Sequence, residues 1–157
     1  MTDAELIEKL KQDLGAQALE LTNPDRRRIF LKVPAAGLPA AVAVLRDVHG
    51  FTHLSTISGV DKGETFEILY HFAGPETTVH VRTEIPKSHP HVESITPLIP
   101  GAILYEREVQ DMFGIVMDHI PDPRRLLLPD DWPDGQHPLR KDWVFERPEE
   151  KIPGGKS

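Results

Sequence analysis

The 157-residue sequence contains no cysteine. That absence excludes disulfides, thiolate zinc sites, a cysteine nucleophile and thiolate-ligated iron–sulfur clusters. No apolar run approaches the roughly 20 residues that cross a bilayer, and the first residues lack a basic-then-apolar leader. Membrane association is therefore expected to come through partners. Positive charge is also short: 18 Lys and Arg against 25 Asp and Glu give a net charge of −7. With no basic stripe to neutralise phosphates, nucleic acid is not an expected partner. The nucleotide-binding and hydrolase signatures GxGxxG, Walker A and GxSxG are missing too.

What remains is an ordinary soluble composition, 39% apolar and 27% charged, in a chain long enough for one domain with a sizeable core. Thr2-Asp3-Ala4-Glu5 reads as a capping box, opening a helix whose stripe Leu6, Ile7 and Leu10 ends near Gly15. Ala18 to Leu21 suits a short strand, Asn23-Pro24-Asp25 a turn, and Arg28 to Val33 a second strand. Leu38, Val42 and Leu45 mark a second helix stopping at His49-Gly50, and Phe51 to Val60 a weaker strand. The clearest pattern follows. Phe66, Ile68, Tyr70 and Phe72 alternate with Glu67, Leu69 and His71, and Val79, Val81, Thr83 and Ile85 with His80, Arg82 and Glu84. Period two on both sides of Ala73-Gly74-Pro75-Glu76 predicts an antiparallel hairpin with one buried face. A loop of those four residues would set Tyr70 against Val79, Ile68 against Val81 and Glu67 against Arg82. The pattern rejects a slip by one residue but not by two. Val92 to Leu98 is expected to begin a helix broken by Pro97 and Pro100.

The chain is organised around Ala102 to Trp143. Its first part is a charged helix from Tyr105 to Phe113, with Gly114 a natural C′ residue. Tyr105, Val109 and Met112 read as its buried stripe, and Arg107 and Asp111 as i,i+4 neighbours suited to ion pairing. Beyond Gly114, Pro121, Pro123, Pro129, Pro133 and Pro138 leave only turns and extended segments. Such a long irregular stretch is expected to lie on another surface, its own domain's or a partner's. Leu126, Leu127, Leu128, Trp132 and Trp143 would anchor it. The pattern as a whole predicts an α+β fold: a mixed, mostly antiparallel sheet of four to five strands with helices on one face. Residues 1–114 would form that domain and 115–157 an extended proline-rich C-terminal arm, with Pro153 to Ser157 as a flexible tail.

These residues resemble a known family. Glu106-Arg107-Glu108, Asp111 three places on, then Arg124-Arg125-Leu126-Leu127, is similar to the signature of the thirty-kilodalton subunit, or C subunit, of NADH:quinone oxidoreductase (respiratory complex I). His137-Pro138-Leu139-Arg140-Lys141-Asp142 resembles the family's closing motif. Where the family usually has His or Lys four residues before Arg124, this chain has Ile120. Relatives occur in energy-converting nickel–iron hydrogenases and F₄₂₀H₂ dehydrogenases, and the short C-terminus leans toward those. The resemblance implies a cofactor-free peripheral subunit of a membrane-bound, proton- or sodium-translocating complex, on the cytoplasmic side of the cell membrane. Its partners would be the large hydrogenase-like catalytic subunit and the membrane-proximal iron–sulfur subunit. Iron–sulfur clusters, and any nickel–iron centre or quinone, would belong to them. No catalytic, cofactor-binding or metal-binding residue is assigned to this chain. Tyr105, Glu106, Arg107, Glu108, Asp111, Phe113, Gly114, Arg124, Arg125, Trp132, His137, Pro138, Arg140, Lys141 and Asp142 become interface or structural residues.

Two other classes stay open on residues alone. The eight His and the carboxylates Glu106, Glu108 and Asp111 would suit a small metal-dependent hydrolase. Yet His89 and His91 have no HExxH helix beside them, and exposed or hydrogen-bonded histidine is the plainer reading. His71 and His80 fall on the polar face of adjacent strands and could approach each other. A stand-alone adaptor whose arm orders on several partners is the other alternative. Arg124 and Arg125 would suit an anion site or a carboxylate clamp, since Arg forks are bidentate.

Overall fold

The two strands with the cleanest alternation lie inside the sheet. In the computed structural model, which describes residues 1–145, β4 (Thr65–Ala73) and β5 (Thr78–Pro86) pair antiparallel. Tyr70 faces Val81 and Phe72 faces Val79, two residues on from the expected register. The turn is Gly74 to Thr77, closed by Gly74 N–H to the Thr77 carbonyl at 2.9 Å. Ala73 and Thr78 therefore join the ladder as a pair. A shift of two leaves every side chain on its own face, so patterning alone cannot detect it. Glu67 and Arg82 still meet, on the diagonal, at 2.6 Å.

β1 (Glu20–Asp25), β2 (Arg28–Lys32) and β3 (His53–Asp61) complete a five-stranded sheet in the order β1-β2-β5-β4-β3. Only the β2–β5 pairing is parallel. β1 runs straight through the expected Asn23-Pro24-Asp25 turn, and the chain reverses at Arg26-Arg27, with Arg27 at φ 63°. Pro24 is tolerated because β1 is an edge strand whose register shifts between Thr22 and Asp25, where no ladder N–H is needed.

α1 (Asp3–Leu14) opens on the expected capping box, Thr2 Oγ1 accepting from Glu5 N–H and Glu5 from Thr2 N–H. It buries Leu6, Leu10 and Leu14, while α2 (Leu38–Asp47) buries Leu38, Ala41, Val42 and Leu45. Both cover the apolar sheet face of Ile29, Leu31, Phe66, Ile68, Tyr70, Phe72, Val79 and Val81. Each fully buried aliphatic or aromatic side chain there contributes roughly 1.5–3 kcal/mol. The opposite face is half-buried and polar. On it the Nδ1 atoms of His71 and His80 lie 2.6 Å apart, and His80 stacks on Phe30. Burial, then His71 and Arg28, lower the His80 pKa to about 4.

The segment expected to be helical from Val92 to Leu98 is instead a strand, β6 (His91–Glu93), followed by turns. It pairs in parallel with β7 (Val116–Asp118), a partner contributed by residues well beyond it in sequence. Local pattern could not announce that pairing. Between them lies α3, Ile103–Phe113, which starts two residues before the expected Tyr105. Ile115 and Met117 are buried, so the body continues past the expected boundary at Gly114 to Asp118. Residues 119–145 have no helix or strand and lie along α3 and the neighbouring end of the sheet. The expected tail from Pro153 to Ser157 lies outside the described residues.

Candidate partner interface

Helix α3 buries two carboxylates where an apolar stripe was expected. Glu106, Val109, Asp111 and Phe113 are its buried residues, whereas Tyr105 and Met112 are only partly covered. Phe113 packs edge-on against Phe66 and so closely on Gly59 that a Cβ there would overlap its ring.

The carboxylates survive burial because each accepts hydrogen bonds from protein donors. Glu106 Oε1 accepts from Ile95 N–H at 2.7 Å and Oε2 from the Ser94 hydroxyl at 2.6 Å. Burial raises its pKa, opposed by those two bonds and reinforced by Glu93. Asp111 Oδ2 accepts three consecutive amides, Leu126 at 2.9 Å, Leu127 at 2.8 Å and Leu128 at 3.1 Å. The expected Arg107–Asp111 pair does not form. Arg107 instead reaches the Arg124 and Arg125 carbonyls at 2.8 and 2.9 Å and the Asp122 carboxylate at 3.3 Å. Asp111 has better company in three backbone N–H groups, and Arg107 in two carbonyls, than either has in the other.

Asp122 was not singled out from the sequence, yet it joins this cluster twice. It takes Arg124 through two guanidinium bonds of 2.8 Å, which hold its pKa well below the usual carboxylate range. Its position two residues before Arg124 was the available sign, since short acidic side chains often bond the amide two residues on. Arg125 ties the next turn, reaching the carbonyls of Pro129 and Asp130 at 3.1 Å and Trp132 at 2.8 Å, and the Asp134 carboxylate at 2.6 Å. Together the three arginines, Asp130 and Asp134 line an open hollow of about 710 Å³.

The closing motif covers the end of α3. A helix leaves its last carbonyls without internal partners. Here His137 Nδ1–H donates to the Asp111 carbonyl at 3.0 Å, Leu139 N–H to Met112 at 3.0 Å, and Arg140 Nε to Phe113. Arg140 also brings positive charge to the negative helix end. Gly114 makes this approach possible: it is left-handed (φ 70°), and a Cβ there would overlap the His137 ring and the Arg140 guanidinium. Half-buried Pro138 sits between them. Lys141 N–H reaches Asp61 Oδ2 at 2.9 Å, and Asp142 pairs with Lys87 at 3.3 Å. Burial alone would raise the Asp61 pKa; the amides of Gly63 and Lys141 and the Lys87 ammonium outweigh it and hold it at about 2. Asp61 and Lys87 were also missed, because sequence gives no sign that a strand end will meet a tail some 80 residues later.

The held segment displays apolar side chains. Leu127 is 55% exposed, Leu139 54%, Val144 76% and Phe145 62%. Trp132 and Trp143 lie 6.1 Å apart and Trp143 continues to Phe145. Glu108 is exposed and has no ion pair among the described residues. Among those residues, no group of three His, Asp or Glu side chains is placed to hold a metal, and no helix is long and apolar enough to cross a membrane.

Residues 23–149 match the family described as respiratory-chain NADH dehydrogenase, 30 Kd subunit. The NADH-quinone oxidoreductase C subunit of Acidothermus cellulolyticus is 37% identical over 134 residues, covering 80% of this chain and 69% of that one. Formate hydrogenlyase subunit 5 of Escherichia coli is 49% identical over 69 residues, covering 44% of this chain and 12% of that one. A chain of the membrane-bound sulfane sulfur reductase, an archaeal respiratory membrane complex, superposes with a TM-score of 0.79 at 23% identity. That superposition covers 95% of this chain and 98% of the other, and at such identity it speaks for the fold alone.

Proposed function

Because the chain belongs to the respiratory-chain NADH dehydrogenase 30 Kd subunit family, we propose that it is a cofactor-free peripheral subunit of a membrane-bound, ion-translocating oxidoreductase complex. In this reading it braces the large catalytic subunit and the membrane-proximal iron–sulfur subunit. Their iron–sulfur clusters, with any nickel–iron centre or quinone, carry the electrons. Its own membrane contact runs through those partners, on the cytoplasmic side. The observation that carries the reading is the hold of α3 on residues 124–128. One carboxylate and one guanidinium fix five successive residues by their backbone and leave Leu126 and Leu127 turned outward. A segment fixed by its main chain with its apolar side chains exposed is preorganised to bind, because its ordering is complete before the partner arrives. Aromatic side chains beside an arginine, here Trp132, Trp143 and Phe145 with Arg125, have the composition of interface anchors.

A second reading, the corresponding subunit of an energy-converting hydrogenase, is favoured by the higher local identity to the formate hydrogenlyase subunit, with an F₄₂₀H₂ dehydrogenase as the remaining alternative. One experiment separates the possibilities. Tagged chain is captured from detergent-solubilised membranes and its companions are identified by mass. Recovery of a large hydrogenase-like subunit together with a Cys-rich iron–sulfur protein is expected, and the further companions tell the two complexes apart. A chain that emerges alone, carrying its own metal or turning over a substrate, would overturn both readings.

A further inference from the structure

The sheet has two edges, and the protein treats them differently. Both edge strands carry a register shift, β1 between Thr22 and Asp25 and β3 between Leu54 and Thr56. Only β1 adds a proline, Pro24, which discourages a further strand. β3 has nine residues, without proline or lysine, and its far side has no strand among the described residues. The direction of its free backbone groups follows from the ladder. Lys62 N–H bonds the Thr65 carbonyl, and alternate pairs in an antiparallel ladder are bonded. Ser58 and Val60 therefore face β4 with their backbone groups, while Ile57 and Gly59 turn theirs outward. Ile57 and Gly59 also border a slot of about 260 Å³ between β3 and α3, lined by Val109, Met112, Phe113 and Leu139. The one charged side chain along it is Glu108. Every other motif charge on α3 is engaged within the chain; among the described residues Glu108 has no such partner.

We propose that the open edge of β3 receives an extended strand from a neighbouring protein of the assembly, which adds to the sheet beside Ile57 and Gly59 and sets a Lys or Arg against Glu108. This rests on the reading of the chain as one component of a larger complex. Main-chain hydrogen bonds would supply the pairing, as in strand addition generally, while the apolar slot and Glu108 choose the sequence. Extended backbone fits the unpaired amides and carbonyls, aliphatic side chains fit the walls, and a cation complements the unpaired carboxylate.

The test compares amide hydrogen exchange of the isolated chain with that of the complex captured from solubilised membranes, and repeats the capture with Glu108→Lys. At least tenfold slower exchange at Ile57 and Gly59 in the complex is expected, with at least tenfold less partner captured by Glu108→Lys. Exchange at Ile68 and Tyr70 reports whether that variant keeps its sheet, and Glu108→Gln, expected to weaken capture less than the reversal, serves if it does not. A captured partner that leaves Ile57 and Gly59 unprotected would overturn the strand addition while leaving the proposed function intact. Unimpaired capture by a folded Glu108→Lys would overturn the basic occupant and the proposal as stated. If the wild-type chain captures nothing, it is the proposed function that fails.

Discussion

Glu106 and Asp111 are carboxylates buried on one helix, and their surroundings give them different consequences. Asp111 binds the three amides of Leu126, Leu127 and Leu128. Charge-assisted bonds of this kind contribute roughly 1.5–3 kcal/mol each before the loss of neighbouring bonds is counted. Asp111→Ala should therefore release the loop rather than unfold the body. Trypsin cleavage after Arg124 and Arg125 is expected to accelerate at least tenfold, with the melting of the sheet much less affected. Equal cleavage of variant and wild type would mean the amides are held some other way. Glu106 has donors but no cation, and burial raises its pKa. An acid whose folded pKa lies above its unfolded value loses stability as pH rises from the unfolded toward the folded pKa. Glu106→Gln should remove that decline. Urea midpoints for the variant are expected to fall less than those of wild type through the window above the ordinary glutamate value of 4.5. A wild-type curve that rises over that window, with the variant following it in parallel, would contradict the raised pKa.

Helix α3 shows how an element can be read correctly and its packing misjudged. Its existence, its charged motif and its glycine end are all visible in sequence. Of the expected stripe Val109 is buried and Tyr105 and Met112 are partly so, but helical spacing alone did not place Glu106, Asp111 and Phe113 on the buried side. Polarity is a poor guide there because burial of Glu106 and Asp111 is offset by donors from residues 94–95 and 126–128, which lie outside the helix. The same holds for β6 and β7, each three residues long and stable only as a pair. Gly114 is the element's critical position. Gly114→Ala must force an L-residue to φ 70° and push aside His137 and Arg140, so a cost of roughly 2–4 kcal/mol is expected in thermal or urea melts. Gly63→Ala is the control, with φ 96° and open space around it. It should cost only the backbone strain, roughly 1–2 kcal/mol. Equal losses for the two would show that the His137–Arg140 approach is unimportant.

At the scale of the molecule, an irregular C-terminal segment lies along the regular body, tied through α3 and through Asp61. Those ties are polar and directed at backbone, whereas the body is held by the apolar cluster between sheet and helices. The two should therefore separate on truncation. A chain ending after Ile120 keeps β7, Ile115 and Met117 and is expected to fold, with circular dichroism close to the sum of its elements, while failing to capture partners. Ending after Gly114 removes β7 and two buried side chains and should be markedly less stable. A chain ending after Ile120 that is unfolded would make the segment part of the core; one that still captures partners would move the interface elsewhere.

Period-two alternation and the capping box determined the two central strands, the first helix and the sheet's buried face. These are local properties, written in the order of residues. The charged helix and the two motifs after it also carried the family resemblance that the match over residues 23–149 bears out. Tertiary structure decided the rest: the two-residue register of the hairpin, the pairing of β6 with β7, and the partners of every motif charge. Each of those depends on groups far apart in the chain meeting in space. A carboxylate reads the same in sequence whether water or three distant amides will surround it.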